Sequence, residues 1–233
     1  MKYLVGIPAY NEEKNIASII AEVKKNLPHS LIAVLNDGST DHTAEILKSI
    51  PDIIVIRHPF NEGIGAAVRT IFHYFLESDC DFLVRIDGDG QHPPQQADLL
   101  LEPLRKKEAD IVIGSRFLEK RGYQSSKTRL GGIKLLNILS SLILKQKITD
   151  NTSGFRAYDR KAVAALHNDY PLDYPEPVEV YHLSRKGLVI KEVSVTMRER
   201  QGGLSSIGTL ESYYYLVKVL LTILVHFLIG GKK

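Results

Sequence analysis

The sequence predicts an α/β fold in which helices cover both faces of a mostly parallel β-sheet. Short apolar runs alternate with longer amphipathic stretches, as expected when helices connect parallel strands. The predicted strands are Tyr3–Ile7, Leu31–Leu35, Ile53–Ile56, Phe82–Ile86 and Ile111–Gly114. The predicted helices are Glu13–Leu27, Thr43–Ser49, Gly65–Glu77 and Gln95–Lys107. In the first of these helices, apolar residues recur three or four positions apart, which places them on one face.

The alternation stops after Arg116. A basic loop, a predicted helix at Gly132–Leu144 and an irregular stretch lead to a last predicted strand at Val189–Val195. We interpret residues 1–208 as one domain and residues 209–233 as a C-terminal apolar or amphipathic helix.

Composition narrows the class of protein. The chain has 233 residues, of which 44% are hydrophobic and 24% charged, so it can bury a sizeable core. A net charge of +3 does not indicate a nucleic-acid partner. The lone cysteine, Cys80, excludes an intrachain disulfide and a Cys-based zinc site. A single cysteine suits a reducing cytosol, and the N-terminal residues read as a strand because a secretory signal would need a longer apolar region.

The C-terminal segment is strongly apolar. The residues from Tyr213 to Gly231 are interrupted by Lys218 and His226, and two lysines follow them. A membrane-spanning helix needs about 20 predominantly apolar residues, so this segment is marginal for crossing a bilayer. Terminal tyrosines and lysines resemble interfacial anchors, so a helix that lies on the membrane is a second possibility, and we favour membrane contact in either form. A core helix, or one that pairs with a second copy or a membrane protein, is the alternative.

Polar and glycine-rich clusters follow nearly every predicted strand of the first half. They occupy residues 8–12, 36–39, 58–65, 87–89 and 115–116. In an open parallel sheet, ligands bind outside the carboxyl ends of the strands. We therefore expect the ligand-binding and catalytic residues to lie together at one edge of the sheet.

The most informative cluster is Asp87-Gly88-Asp89-Gly90-Gln91-His92-Pro93-Pro94. Two carboxylates at the end of a buried strand are costly to desolvate unless a positive charge pairs with them. Mg²⁺ and Mn²⁺ prefer oxygen ligands and bridge to substrate phosphates. We predict that Asp87, Asp89 and the amide oxygen of Gln91 bind such a cation. A turn rich in Asp and Gly is the alternative interpretation.

A second cluster, residues 36–41, joins a predicted strand to a helix. Asp37 is predicted to accept hydrogen bonds from a ribose or base, while Thr40 or Asp41 caps the helix. The segment Asn61–Gly65 lacks the full Gly-x-Gly-x-x-Gly spacing and a Walker lysine, so it predicts a tight turn that begins a helix.

Several segments, in this order along the chain, resemble those of the family-2 glycosyltransferases, particularly dolichyl- and polyprenyl-phosphate mannose or glucose synthases. They are Pro8-Ala9-Tyr10-Asn11-Glu12, Asn36-Asp37-Gly38-Ser39, the residues 87–94, Gly114-Ser115-Arg116 and Asp150-Asn151-Thr152-Ser153-Gly154-Phe155-Arg156. The resemblance runs from Tyr3 to about Ser206. It implies a nucleotide-diphospho-sugar-transferase-like, Rossmann-like fold and transfer of a hexose from a UDP- or GDP-sugar to a polyprenyl-phosphate carrier.

The resemblance also implies roles for individual residues. The nucleotide-sugar would contact Pro8, Tyr10, Glu12, Asp37, Asp87, Gly88, Asp89 and Arg200, the last on a loop that closes over the donor. The acceptor phosphate would contact Arg116 and Arg129, within a basic loop that also carries Lys120, Arg121 and Lys127. Guanidinium groups suit phosphate recognition, although a solvated loop or contact with anionic lipid headgroups would have the same composition.

Two departures from the family pattern bear on the acceptor. Ser206 stands where the family usually has a lysine, and the segment Tyr174–Glu179 is unusual for the simple lipid-phosphate synthases. A phosphate acceptor arrives ionised and needs no base, whereas a sugar hydroxyl of a lipid-linked glycan requires one. The predicted bases for a hydroxyl are Asp150, Glu176 and Glu179, which could instead be a turn residue and two surface carboxylates. We favour the phosphate acceptor.

The sequence thus predicts an enzyme of direct displacement at the anomeric carbon, with Asp89 and Arg116 in the catalytic machinery. We expect it at the cytoplasmic face of the membrane, in the synthesis of cell-surface polysaccharide. A nucleotidyltransferase is disfavoured because a Lys-containing glycine-rich loop does not follow the first strand. A non-catalytic nucleotide-binding membrane scaffold is the other alternative.

Overall fold

The computed structural model describes residues 1–119, 137–138, 141, 147–168, 170–172, 175–199 and 221. The predicted helix Gly132–Leu144 and the C-terminal segment 209–233 therefore lie almost entirely outside the described residues. Among the described residues, the structure contains no helix that is both long and apolar enough to cross a membrane.

The described strands form one sheet. They are β1 (Tyr3–Ala9), β2 (Leu31–Asp37), β3 (Ile54–His58), β4 (Phe82–Arg85), β5 (Ile111–Ser115), β6 (Arg156–Asp159) and β7 (Ile190–Ser194). Their order across the sheet is β3-β2-β1-β4-β6-β5-β7. The pairings of β1 with β2 and β4, of β2 with β3 and of β5 with β7 are parallel. The predicted mostly parallel sheet is confirmed.

Strand β6 is an element that the sequence pattern did not predict. It runs antiparallel to both β4 and β5 and separates them. Its sequence, Arg-Ala-Tyr-Asp, is too short and polar to stand out as an apolar run. Because β6 runs in the opposite direction, the residues that precede it lie at the edge where β4 and β5 end.

The described helices are α1 (Ile16–Asn26), α2 (Thr43–Ser49), α3 (Ile64–Glu77), α4 (Ala97–Arg105), α5 (Arg160–Leu166) and α6 (Pro175–Arg185). The first four confirm the predicted helices, with small shifts at their ends. The predicted start at Glu13 moves to Ile16, because the Glu12 carbonyl first accepts the N–H groups of Asn15 and Ile16 in a turn. A short 3₁₀ turn at Pro94–Gln96 precedes α4.

Two apolar clusters pack against opposite faces of the sheet. Helices α1 and α4 cover one face, where Ile20 and Leu104 pack with Val5. Helices α3, α5 and α6 cover the other face, where Phe72 packs with Leu4. Neighbouring residues of β1 thus enter different clusters, as the alternation of side chains along a strand requires. Helices on both faces leave the carboxyl edge of the sheet as the accessible side of the parallel strands.

Candidate active site

The loop after β4 carries the two carboxylates of the predicted cation site, and it lies against the end of β1. The Gly88 N–H donates to the Pro8 carbonyl over 3.2 Å. A Cβ atom at Gly88 would lie 3.1 Å from that carbonyl oxygen and 3.2 Å from Cγ of Glu12. Glycine between Asp87 and Asp89 therefore permits the close approach of the two loops.

Asp89 also shapes its own loop. Its Oδ1 accepts the N–H of Gln91 over 3.0 Å, and Gly90 between them has a φ of +79°. The carbonyl of Gln91 accepts the N–H of Arg198, from the segment after β7, over 3.0 Å. The loop is thus held by its own turn and by a neighbouring segment, while both carboxylates stay partly accessible.

The oxygen atoms of this loop suit a cation whose ligands come partly from the protein and partly from a bound substrate. In the described part of the chain, His, Cys, Asp and Glu side chains form no group of three or more that could hold a metal ion. Asp87 and Asp89 supply carboxylate oxygens, and Gln91 adds an amide oxygen on the same loop. Mg²⁺ is commonly bound in this way, through one or two carboxylates, water and substrate phosphates.

A buried arginine orients Asp87. The Nε of Arg85 donates to Oδ1 of Asp87 over 2.9 Å, and its Nη1 lies 2.9 Å from Oε1 of Glu176. The side chain of Arg85 is 3% exposed. Burial opposes its charge, but the carboxylates of Asp87 and Glu176 outweigh that effect and raise its pKa well above the usual value.

His92 holds the backbone of the same loop. Its Nδ1 accepts the N–H of Asp87 over 3.0 Å, and its ring stacks on Phe155 with centroids 5.2 Å apart. Burial lowers the pKa of His92, which favours the neutral ring that this acceptor role requires. A Cβ atom at Gly154 would lie 2.7 Å from Oδ2 of Asp87. The segment before β6 therefore comes directly against the loop of residues 87–91, which we call the carboxylate loop.

The carboxylate of Asp37 accepts hydrogen bonds from the loop after β3 and lies against the last residue of that strand. Its Oδ1 accepts the N–H of Glu62 and lies 2.7 Å from Nδ1 of His58, and its Oδ2 accepts the N–H of Gly63. Gly63, with a φ of +90°, directly precedes α3, so a helix begins within this segment as predicted. Asp37 therefore organises the loop before α3, and its contact with a nucleoside stays a prediction.

The loops after β1 and β2 are tied together beside Asp37. Asn11 donates its N–H to Oγ of Ser39, and its side-chain oxygen accepts the N–H of Thr40. The buried Glu12 accepts from the amide of Asn15, while the side chain of Tyr10 is exposed. Asp41 accepts the N–H of Thr43, the first residue of α2, but the N-cap position is occupied by His42, so the predicted cap at Thr40 or Asp41 is wrong by one or two residues.

Arg116 and Asp150 form a bidentate ion pair. Nε of Arg116 lies 2.6 Å from Oδ2 of Asp150, and Nη2 lies 2.7 Å from Oδ1. The backbone N–H of Asp150 donates to the carboxylate of Glu192 on β7, and burial raises the pKa of Glu192. Asp150 is fully buried as the counterion of Arg116, so the geometry does not support the base role expected for it.

Glu179 also occupies a different place from the one expected. Its carboxylate is fully buried, 3.1 Å from Nη1 of Arg156, and it accepts from the Tyr170 hydroxyl over 3.0 Å. The interpretation of Glu179 as a surface carboxylate is wrong, because its side chain is fully buried. Its burial and its pairing with Arg156 do not favour the predicted role as a base. Glu176, one turn earlier on α6, is 15% exposed and paired with Arg85.

Sequence reasoning assigned no role to four buried residues that lie behind Asp87 and Glu176, namely Arg85, His92, Arg156 and Tyr170, or to the half-buried Glu192 beside Asp150. One signal was present: Arg85 interrupts an apolar strand, and a charge in a buried strand requires a partner. The predicted ligands Arg129 and Arg200 lie outside the described residues, as do Lys120, Arg121 and Lys127.

Comparison with known proteins agrees with this architecture. The model of the Glycosyl transferase family 2 matches residues 4–166. An undecaprenyl-phosphate mannosyltransferase from Micrococcus luteus is 30% identical over 228 residues, which cover 89% of this chain and 88% of the relative. A polyprenol monophosphomannose synthase from Mycolicibacterium smegmatis is 31% identical over 214 residues, covering 88% of this chain and 80% of the relative.

A solved structure has the same fold at lower sequence identity. Glucosyl-3-phosphoglycerate synthase from Mycobacterium tuberculosis, in complex with Mn²⁺, UDP-glucose and phosphoglyceric acid, superposes with a TM-score of 0.75 at 20% identity. The match covers 97% of this chain and 79% of that one. From the family match and the coverage of its relatives, the chain belongs to glycosyl transferase family 2 and is a glycosyltransferase.

Proposed function

We propose that this glycosyltransferase moves a hexose from a UDP- or GDP-sugar to a polyprenyl-phosphate lipid, with a divalent cation at Asp87 and Asp89. The observation that carries the proposal is the carboxylate loop at the carboxyl edge of the sheet, beside Arg116 and the loops after β1 and β2. The names of two relatives, an undecaprenyl-phosphate mannosyltransferase and a polyprenol monophosphomannose synthase, support the lipid acceptor. The Mn²⁺ and UDP-glucose named for the structural neighbour support the donor and the cation.

The pairing of the three predicted bases favours a phosphate acceptor over a sugar hydroxyl. Asp150, Glu176 and Glu179 each lie against a different guanidinium, and two of these carboxylates are fully buried. A general base must reach the proton that it removes, directly or through one water. A lipid phosphate is already ionised and does not need any of the three.

The reaction follows as a direct displacement. A phosphate oxygen of the acceptor attacks the anomeric carbon, the bond from that carbon to the diphosphate oxygen breaks, and the nucleoside diphosphate leaves with the electron pair. This attack inverts the anomeric configuration. A bound divalent cation would neutralise the charge that develops on the leaving diphosphate. The residues of the chain orient Asp87 through Arg85 and His92, and Arg116 provides positive charge near the acceptor.

The decisive assay is transfer of labelled sugar to polyprenyl phosphate from UDP-glucose, UDP-N-acetylglucosamine and GDP-mannose, with Mg²⁺ or Mn²⁺. We expect label in a lipid phosphodiester with one of these donors. Label that appears only on a lipid-linked glycan would replace this proposal with a hydroxyl acceptor. Nucleotide binding without transfer to any acceptor would support the scaffold alternative.

Arg116→Ala should weaken binding of the acceptor more than binding of the donor. A hydrogen bond to a charged group contributes about 1.5–3 kcal/mol, so the KM for polyprenyl phosphate should rise roughly tenfold or more. The measurement is the KM for each substrate separately. Arg105→Ala, at an exposed ion pair on α4, is the control that should leave both constants unchanged. An unchanged acceptor KM in Arg116→Ala would remove this residue from the acceptor site.

Location at the cytoplasmic face of a membrane is also part of the proposal, and it rests on the apolar sequence 213–231. Removing the residues after Ser212 should release the protein from membranes and preserve hydrolysis of the donor, because the proposed donor site precedes Ser212. Membrane flotation and donor hydrolysis measure the two effects. Unchanged flotation would place the anchor elsewhere, and an aggregated truncation would favour a core helix.

A further inference from the structure

Two buried arginines face each other behind the carboxylate loop. Arg85 on β4 and Arg156 on β6 are register partners on neighbouring antiparallel strands, and both are almost completely buried. Like charges directly opposite each other destabilise a sheet unless counterions separate them. Glu176 and Glu179, both from the first turns of α6, provide these counterions.

The two ion pairs differ in their relation to the active site. Arg156 pairs with Glu179 and also donates to the backbone carbonyls of Ser153, Asn151 and Glu176, so it ties the segment before β6 to α6. Arg85 is instead shared between two carboxylates, with Nε and Nη2 toward Asp87 and Nη1 toward Glu176. The guanidinium of Arg85 therefore contacts one carboxylate of the carboxylate loop and one carboxylate of α6.

We propose that Arg85 and Glu176 are positioning residues that set the cation affinity of the Asp87–Asp89 loop. Arg85 fixes the orientation of Asp87. The negative charge of Glu176 offsets part of the positive charge that Arg85 presents to Asp87. Asp87 is thereby held in place without being fully neutralised. The inference rests on the proposed function in one respect, namely that the loop binds a divalent cation.

The proposal requires effects of opposite sign from the two residues. In Glu176→Gln, the positive charge of Arg85 is no longer offset by a second carboxylate, and the cation site loses a nearby negative charge. Mn²⁺ should therefore bind roughly tenfold more weakly. Arg85→Met removes the competing positive charge, so Mn²⁺ alone should bind more tightly by a similar factor. The same variant should lower kcat, because Asp87 loses its fixed orientation. A purely structural role predicts weaker binding of Mn²⁺ in both variants.

The experiment is titration of the full chain with Mn²⁺, followed by the electron paramagnetic resonance signal of the free ion, with and without UDP or GDP. Glu179→Gln is the matched control, because it makes the same change on the same helix beside Arg156. Glu108→Gln, at an exposed ion pair with Lys191, controls for net charge. Both controls should keep the Mn²⁺ affinity of the folded protein within about twofold of the wild type.

The outcomes separate this inference from the proposed function. Opposite shifts in Glu176→Gln and Arg85→Met, with unchanged controls, support it. Weaker binding in both variants, or an unchanged affinity in Glu176→Gln, overturns it while leaving the cation site intact. If Arg85→Met does not fold, the comparison of Glu176→Gln with the controls decides, since equal affinities overturn the inference. A wild-type protein that binds no Mn²⁺ even with nucleotide would refute the cation site itself.

Discussion

Asp89→Ala is expected to lower the rate of sugar transfer by about 10³-fold or more while the protein remains folded. A catalytic cation contributes several kcal/mol of charge stabilisation in the transition state, and each 1.36 kcal/mol corresponds to a factor of ten in rate. The side chain of Asp89 is partly exposed in the loop after β4, so its removal leaves the apolar core unchanged. The measurement is kcat for the labelled donor together with a thermal unfolding curve.

The matched control is Asp98→Ala, which removes an exposed carboxylate from α4 and should retain full activity. Wild-type enzyme should also lose activity in excess chelator and recover it when Mn²⁺ or Mg²⁺ is restored. Full activity of Asp89→Ala, or of the wild type in chelator, would contradict the proposed cation dependence.

Glu179→Gln should lower the free energy of unfolding by about 3–5 kcal/mol, because it leaves the buried guanidinium of Arg156 without its carboxylate. The cost arises from an uncompensated buried charge and not from the loss of a catalytic group. Chemical denaturation at neutral pH measures the effect. The kcat of the remaining folded protein should change little, because Glu179 is buried away from the site.

A double variant distinguishes this explanation from simple loss of packing. Replacing both Arg156 and Glu179 with Met removes the two charges together, and such replacements are often neutral when packing is preserved. The double variant should therefore recover part of the stability lost in Glu179→Gln. The recovery should be incomplete, because the Tyr170 hydroxyl loses its acceptor and the carbonyls of Asn151, Ser153 and Glu176 lose a donor. Equal instability of the two proteins would contradict the proposed role of the ion pair.

The early half of the fold could be predicted because its signals are local. The periodicity of α1 and the apolar runs of β1 and β2 are properties of neighbouring residues. They can therefore be recognised in the sequence without knowledge of tertiary contacts. The rule that ligands bind at the carboxyl ends of parallel strands then brought Asp37, Asp87 and Asp89 to one edge. Their arrangement along the chain therefore predicted which edge of the sheet bears the proposed donor and cation site.

The partners of the charged residues could not be predicted in the same way. Arg85 contacts Asp87, which is two residues away in the sequence, and also Glu176, which is 91 residues away. That second contact exists only because β6 inserts between β4 and β5 and α6 packs behind it. Strand β6 itself has a weak local pattern and is stabilised by its two neighbours.

The sequence by itself therefore determined the alternating α/β architecture, the edge that bears the carboxylate loop and the class of enzyme. Only the tertiary structure decided that Glu179 and Asp150 are buried counterions, and that Arg85 is shared between Asp87 and Glu176. The physical reason is that burial and ion pairing depend on contacts between distant segments. A carboxylate that is exposed in one packing arrangement is desolvated and paired in another, although its local sequence is unchanged.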